Sequence, residues 1–167
     1  RSWTPPEAGA HGGDQPIGVF ENLHWERYSR EYRRSFVDDL LQVADATRGR
    51  RFIVHPHPAG MWFRKHGPQE LPGNVVLANQ AGEGMRILAG SDCIITTPST
   101  IALDAAQIGR PVAIAQYDLA DTSTYDPLQM LRSAEDWMRF IADASNPTVK
   151  QAQESFFRRV CRHGDAT

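Results

Sequence analysis

Two short segments hold most of the chemistry this sequence could perform. One is His55-Pro56-His57-Pro58, the other Thr96-Thr97-Pro98-Ser99-Thr100. Two imidazoles two residues apart fall on one side of an extended backbone. They can donate hydrogen bonds to a phosphate, bind a metal as an HxH pair, or sit buried and satisfied in a core. Hydroxyls opening a helix can hold an anion, because the first N–H groups of a helix are unpaired and its macrodipole is positive there. The plain alternative is capping by Thr97 or Ser99. Asp104 follows Thr100 by four residues, so both share one helix face about 6 Å apart along the axis. That reach matches the span from a phosphate to the ribose hydroxyls of one nucleotide. Two further polar segments, Asn22-Leu23-His24-Trp25 and Gln116-Tyr117-Asp118, complete the set.

Other chemistries lose their usual support. There is no GxGxxG and no GxxxxGK[ST], so neither dinucleotide redox chemistry nor Walker-type ATP hydrolysis has its fingerprint. No GxSxG elbow is present. Gly82 and Gly84 around Glu83 read as a loop before a short helix. An HxH pair suits metal-dependent hydrolase barrels. A (β/α)8 barrel needs about 200 residues or more, and this chain has 167. No carboxylate motif accompanies the pair, so no metal is expected.

The elements that must position these residues alternate strand and helix. Strand candidates are 17–23, 51–55, 74–79, 93–97 and 111–116. Between them, helical spacing of apolar residues marks 31–47, a short piece at 62–66, then 83–89 and 99–108. Beyond Asp126 the chain reads as helices at 127–132, 134–144 and 147–162. The third to fifth strands are nearly continuous apolar runs, the mark of strands buried on both faces. The expectation is therefore an α/β fold: a Rossmann-like three-layer sandwich with a mostly parallel sheet of five or more strands and C-terminal helices. Ligands of such sheets sit beyond the carboxyl ends of the strands. There the four polar segments would converge on one rim. Residues 1–16, with three Pro and three Gly, read as a linker or tail.

Composition supports a globular chain, with 41% hydrophobic and 23% charged residues and a net charge of −2. That balance lacks the basic footprint of nucleic-acid binding, and no apolar run approaches the roughly 18 residues of a membrane span. Cys93 and Cys161 stand far apart, which fits a reducing compartment. The stretch Arg27 to Arg34 (RYSREYRR) reads as a solvated helix start, or as a contact for an anionic surface. The chain opens on Arg1 without an initiator Met, so a fragment or excised domain is expected.

The order of a strand ending in HPHP, an apolar strand, a short helix and SDCIITTPSTIALDAAQIGRPVAI resembles the C-terminal nucleotide-binding half of glycosyltransferase-B fold enzymes. It is most similar to the group with a His-Pro motif and a later Ser-Ser or Ser-Thr motif. That group includes CDP-glycerol glycerophosphotransferases, bacterial capsule polysaccharide transferases and several sialyl- and polysialyltransferases. The similarity covers Arg51 to Asp118, with looser agreement from Ile17.

The resemblance implies that residues 17–167 form the donor-binding half of a two-domain enzyme, with an N-terminal acceptor domain in the same full-length chain. It implies a nucleotide-sugar or CDP-polyol donor, surface polysaccharide synthesis, and little turnover by the isolated domain. The catalytic and phosphate-contacting His would be His57 or His55, with the loop position favouring His57. Ser99 and Thr100 would hold the donor phosphate. Asp104 would bind the ribose; many relatives carry Glu there, one methylene longer. Gln116, Tyr117 and Asp118 would face the donor. No cofactor is implied. The expected location is cytoplasmic, with peripheral association at the inner face of the membrane as a further expectation. Two alternatives stay open: a nucleotide-sugar epimerase of the UDP-N-acetylglucosamine 2-epimerase type, and a non-catalytic nucleotide-sensing α/β module.

Overall fold

A computed structural model describes residues 15–79 and 82–164; most of the expected N-terminal linker, residues 1–14, lies outside them. Six strands form one sheet: β1 (Ile17–Glu21), β2 (Phe52–Pro56), β3 (Val75–Leu77), β4 (Cys93–Thr96), β5 (Val112–Ala115) and β6 (Gln129–Leu131). Their order across the sheet is β3-β2-β1-β4-β5-β6, and every neighbouring pair is parallel. This is the doubly wound Rossmann order. The helices are α1 (Arg30–Ala46), α2 (Trp62–His66), α3 (Gly84–Ala89), α4 (Ile101–Gln107), α5 (Ala134–Asp143) and α6 (Pro147–Gly164).

The sheet separates two cores. On one face Val19, Val54, Ile95 and Ala113 pack with Phe36 and Leu40 of α1 and Trp137 and Phe140 of α5. On the other, Phe20, Ile53, Ile94 and Ile114 pack with α3, α4 and Phe156 of α6. Alternate residues of each strand thus feed opposite cores, so β1, β4 and β5 are buried along their whole length. Each large side chain that is fully buried, such as Trp137 or Phe36, contributes roughly 1.5–3 kcal/mol. The third strand departs from the sequence expectation. β3 lies at the sheet edge and leaves Val76 exposed, so its apolar run does not mark burial on both faces.

α1 forms because Tyr32, Phe36, Leu40, Val43 and Ala44 make one buried stripe, and because Ser29 caps it by accepting from the Tyr32 N–H at 3.0 Å. α4 buries only alanines, Ala102, Ala105 and Ala106, which lets it lie close on the sheet. Gly18 in β1 meets a similar demand, since a Cβ there would stand 2.8 Å from Ile94 Cδ1.

A second element departs from the sequence expectation. The segment 127–132, expected as a helix, contains β6, paired in parallel with β5 from Ala113↔Gln129 to Ala115↔Leu131. Its three residues are too few to show a period of two, and the flanking polar residues mimic a helical pattern. Position beside β5 decides the conformation here.

Candidate functional site

The strand order reverses direction between β1 and β4, and open α/β sheets place ligands in the crevice at that point. Here a cleft of about 660 Å³ opens at the carboxyl ends of those strands. Its walls come from three turns. The β1 turn supplies Phe20, Glu21, Asn22, Trp25 and Arg27; the β2 turn supplies His55, His57 and Pro58; the β4 turn supplies Thr96 to Ile101. Tyr125 closes one side. The structure thus brings together His55, His57, Ser99 and Thr100 from two of the four polar segments, beside Asn22 and Trp25 of a third.

The β1 and β4 turns are tied to each other. Thr97 Oγ1 donates to Asn22 Oδ1 at 2.6 Å and accepts from the Asn22 N–H at 3.1 Å. Asn22 Nδ2 and the Arg27 guanidinium both donate to the Pro98 carbonyl, at 3.1 and 2.8 Å. Tyr28 Oη donates to Asn22 Oδ1 at 2.8 Å. Glu21 is buried, and its carboxylate accepts from the Leu23 N–H at 2.7 Å and the Phe63 N–H at 2.9 Å. Burial pushes its pKa up; the two backbone bonds and Arg33 oppose that rise. The Glu21 carbonyl also accepts from the His57 N–H at 2.8 Å. One residue therefore fixes the β1 turn, the start of α2 and the His57 backbone.

The two histidines differ. His57 Nδ1 accepts from the Ala59 N–H at 3.1 Å, so a neutral ring carries its proton on Nε2. The ring packs on His24, centroids 4.8 Å apart. Gly60 makes this packing fit: a Cβ there would stand 2.1 Å from His24 Cβ and Cγ. Burial, with His57 and Lys65 nearby, holds the His24 pKa down. His55 is half-buried against Phe20, with centroids 5.2 Å apart. Burial lowers its pKa, while Glu83 opposes the drop.

The hydrogen-bonding inventory of the cleft is lopsided. The acceptors Glu21 and Asn22 Oδ1 are spent on protein N–H and O–H groups. Ser99 Oγ accepts from the Ile101 N–H at 3.0 Å, which leaves its hydroxyl proton to donate. Thr100 makes no side-chain capping bond. With His57 Nε2–H, the cleft presents chiefly donors, the complement of an anion.

The remaining candidate residues lie elsewhere. Asp104 sits on α4 outside the cleft lining. Gln116 Nε2 donates to Asp118 Oδ1 at 2.9 Å and to the Ala120 carbonyl at 3.0 Å. Tyr117 Oη donates to Asp39 Oδ2 at 2.6 Å and accepts from Trp137 Nε1 at 2.9 Å. Gln116 and Asp118 close the β5 turn on itself, Tyr117 braces it against α1 and α5, and none of the three lines the cleft. Conversely, Glu21, Asn22, Arg27 and Thr97 organise it, although the sequence assigns none of them a site role and places only Asn22 and Thr97 in polar segments. The one available signal was their position after the first and fourth strands. Among the described residues, no group of three or more His, Cys, Asp or Glu is placed to hold a metal.

Comparison with known proteins places the fold. No family model matches the sequence, and no curated protein sequence does. Solved structures do. A glycotransferase of kitacinnamycin superposes with a TM-score of 0.62 at 15% identity, covering 98% of this chain and 42% of that one. An H444N variant of the wall teichoic acid polymerase TagF gives 0.62 at 15% identity, covering 89% and 40%. A Listeria monocytogenes protein assigned as a UDP-N-acetylglucosamine 2-epimerase gives 0.57 at 13%, covering 89% and 42%. The chain therefore spans about two fifths of the length of these structures. Its fold is the Rossmann-like α/β fold of glycosyltransferase-B domains.

Proposed function

We propose that the chain is the donor-binding domain of a glycosyltransferase or glycerophosphotransferase that uses a nucleotide-activated sugar or polyol. The observation that carries this reading is the cleft at the β1/β4 reversal, whose acceptors are spent internally and whose free groups are donors. A nucleoside diphosphate is an anion that such a surface fits. His57 Nε2–H and the hydroxyls of Ser99 and Thr100 contact the phosphates, and His55 lines the same wall. Asp104 lies about one helical turn beyond Thr100, so it meets the ribose if the nucleoside runs along α4.

The chemical contribution is electrostatic. As the sugar or polyol-phosphate group leaves, negative charge grows on the departing nucleotide. Fixed donors aimed at that charge lower the barrier without reorganising. The base that activates the acceptor comes from a second, N-terminal domain of the full-length protein. Surface polysaccharide synthesis at the cytoplasmic face of a membrane is the matching biological role. The epimerase alternative shares the fold, but it asks for carboxylates in the cleft. The one carboxylate in this lining, Glu21, is occupied by two backbone N–H groups.

Calorimetric titration with CDP, CMP and UDP tests the proposal. One of them should bind, and Ser99→Ala or His57→Ala should abolish binding at the same concentrations. A folded chain that binds no nucleotide overturns it.

A further inference from the structure

A second hollow lies on the other side of His24, between the start of α1 and the short helix α2. Its volume is about 870 Å³. Its walls carry Arg30, Arg33, Arg34, Lys65 and His66 around the half-buried indole of Trp62. Asp38 is the one acid in the lining, and it pairs with Arg34 at 3.7 Å. Among the described residues, Arg30, Lys65 and His66 have no ion-pair partner. The net charge of the chain is −2, so this concentration of cations is local and runs against the overall balance.

Two neighbouring side chains hold the indole in place. The Arg33 guanidinium lies 5.9 Å from the Trp62 ring centroid, and the His66 ring packs on it at 5.7 Å. Arg33 is itself anchored, donating to the Leu23 and Trp25 carbonyls at 2.8 and 3.0 Å. A fixed aromatic platform ringed by cations matches a ligand with both flat apolar ring faces and negative charges.

We propose that this groove binds an anionic saccharide chain, one whose sugar units carry carboxylate or phosphate groups. The concave shape favours a chain over a membrane surface. An interfacial contact buries protruding apolar side chains. Yet the exposed large apolar residues of this protein, Trp25, Val76, Met85, Ile108 and Leu119, lie outside the groove. The groove and the donor cleft share a wall: His24 lines one, His57 lines the other, and their rings touch. A chain seated in the groove therefore ends beside the cleft, as an acceptor would. That acceptor role rests on the donor reading; the binding itself does not.

The test uses the 167-residue chain with oligogalacturonate as probe and its fully methyl-esterified form as the uncharged match. Oligogalacturonate should bind, and its affinity should fall as salt rises through 0.1 M, where the Debye length is about 10 Å. The ester should not bind. Reversing two exposed charges, Arg30→Glu with Lys65→Glu, should weaken binding about tenfold or more and leave nucleotide affinity unchanged. Equal binding of the ester overturns the proposal, as does an unchanged double variant or no binding at low salt. Binding to phosphatidylglycerol vesicles without binding to oligogalacturonate overturns it in favour of a membrane contact. A nucleotide titration on the same sample reports on the donor cleft separately, so failure of one site is distinguishable from failure of the other.

Discussion

Replacing Glu21 should loosen both the fold and the cleft. The residue is 3% exposed, and its carboxylate accepts from the N–H groups of Leu23 and Phe63. Hydrogen bonds to a charged group are worth about 1.5–3 kcal/mol each. Glu21→Ala removes two, strands both buried N–H groups, and should cost at least about 3 kcal/mol. For a domain of this size that corresponds to a melting point lower by roughly 6–12 °C. Glu21→Gln keeps one acceptor oxygen but turns an NH2 toward the other N–H, so it should cost about 1–3 kcal/mol. The pH dependence has a defined sign. Burial raises the Glu21 pKa above its ordinary 4.5, so the native state binds this proton more tightly than the unfolded state. The stability linked to that proton is fully present below pH 4.5 and is lost as pH rises through the raised native value. Urea unfolding at a series of pH values, read as the difference between the native protein and Glu21→Gln, isolates this contribution from the other carboxylates. A Glu21→Ala protein within 0.5 kcal/mol of the native one at neutral pH would refute the assignment of the Glu21 carboxylate as the pin between the β1 turn and α2.

Gly60→Ala should destabilise the fold by about 1–3 kcal/mol, because its Cβ overlaps His24; NMR should show the His24 and His57 ring signals shifting together. Tyr117→Phe removes the bonds to Asp39 and Trp137, so urea unfolding should report a loss of about 1–3 kcal/mol while nucleotide affinity stays the same. Ser99→Ala should cost about 1 kcal/mol through the lost bond from the Ile101 N–H, far too little to unfold the chain in a binding assay. A thiol reagent should label Cys161 quickly in the native state. Cys93 should react only on unfolding, since it is fully buried and burial pushes its thiol up to about 12.

Most of the fold was legible because burial imposes visible patterns. The apolar runs read at the fourth and fifth strands, Cys93 to Thr96 and Val112 to Ala115, are buried along their whole length, and the stripe from Tyr32 to Ala44 repeats at helical spacing. β6 was not legible, since three residues at Gln129–Leu131 take their conformation from pairing with β5 rather than from any period of their own. The cleft was legible only in part. His55, His57, Ser99 and Thr100 stand out as residue types that suit an anion, and the rule about strand ends gathers them. The same rule treats every strand end alike. Gln116 to Asp118 follow β5, one strand beyond the reversal point; Gln116 Nε2 bonds within the turn, and the Tyr117 hydroxyl bonds to α1 and α5. Which polar groups are spent and which stay free depends on partners distant in sequence, as with Asn22 and Thr97, 75 residues apart.

That distinction between spent and free groups is what gives the cleft a chemical sign. Counted by residue type, its lining is mixed: a carboxylate, an amide, several hydroxyls and two imidazoles. After internal pairing, Ser99 and His57 keep donors free, while Thr96, Thr97 and Asn22 spend theirs within the protein. Glu21 holds two backbone N–H groups, Asn22 Oδ1 takes Thr97 and Tyr28, and His57 Nδ1 takes Ala59. Each of these bonds consumes an acceptor and also stiffens a turn that carries a free donor. The cost of ordering those donors is thus met during folding, so an anion entering the cleft meets groups already in position. The same bonds make the cleft depend on the fold around it. Removing the Glu21 carboxylate loosens the β1 turn and the start of α2 around the carbonyl that holds His57, and breaking the Asn22–Thr97 pair frees the segment that carries Ser99. Stability and anion affinity should therefore fall together for Glu21, Asn22 and Thr97, and should separate for Tyr117, whose bonds lie on the far side of β5.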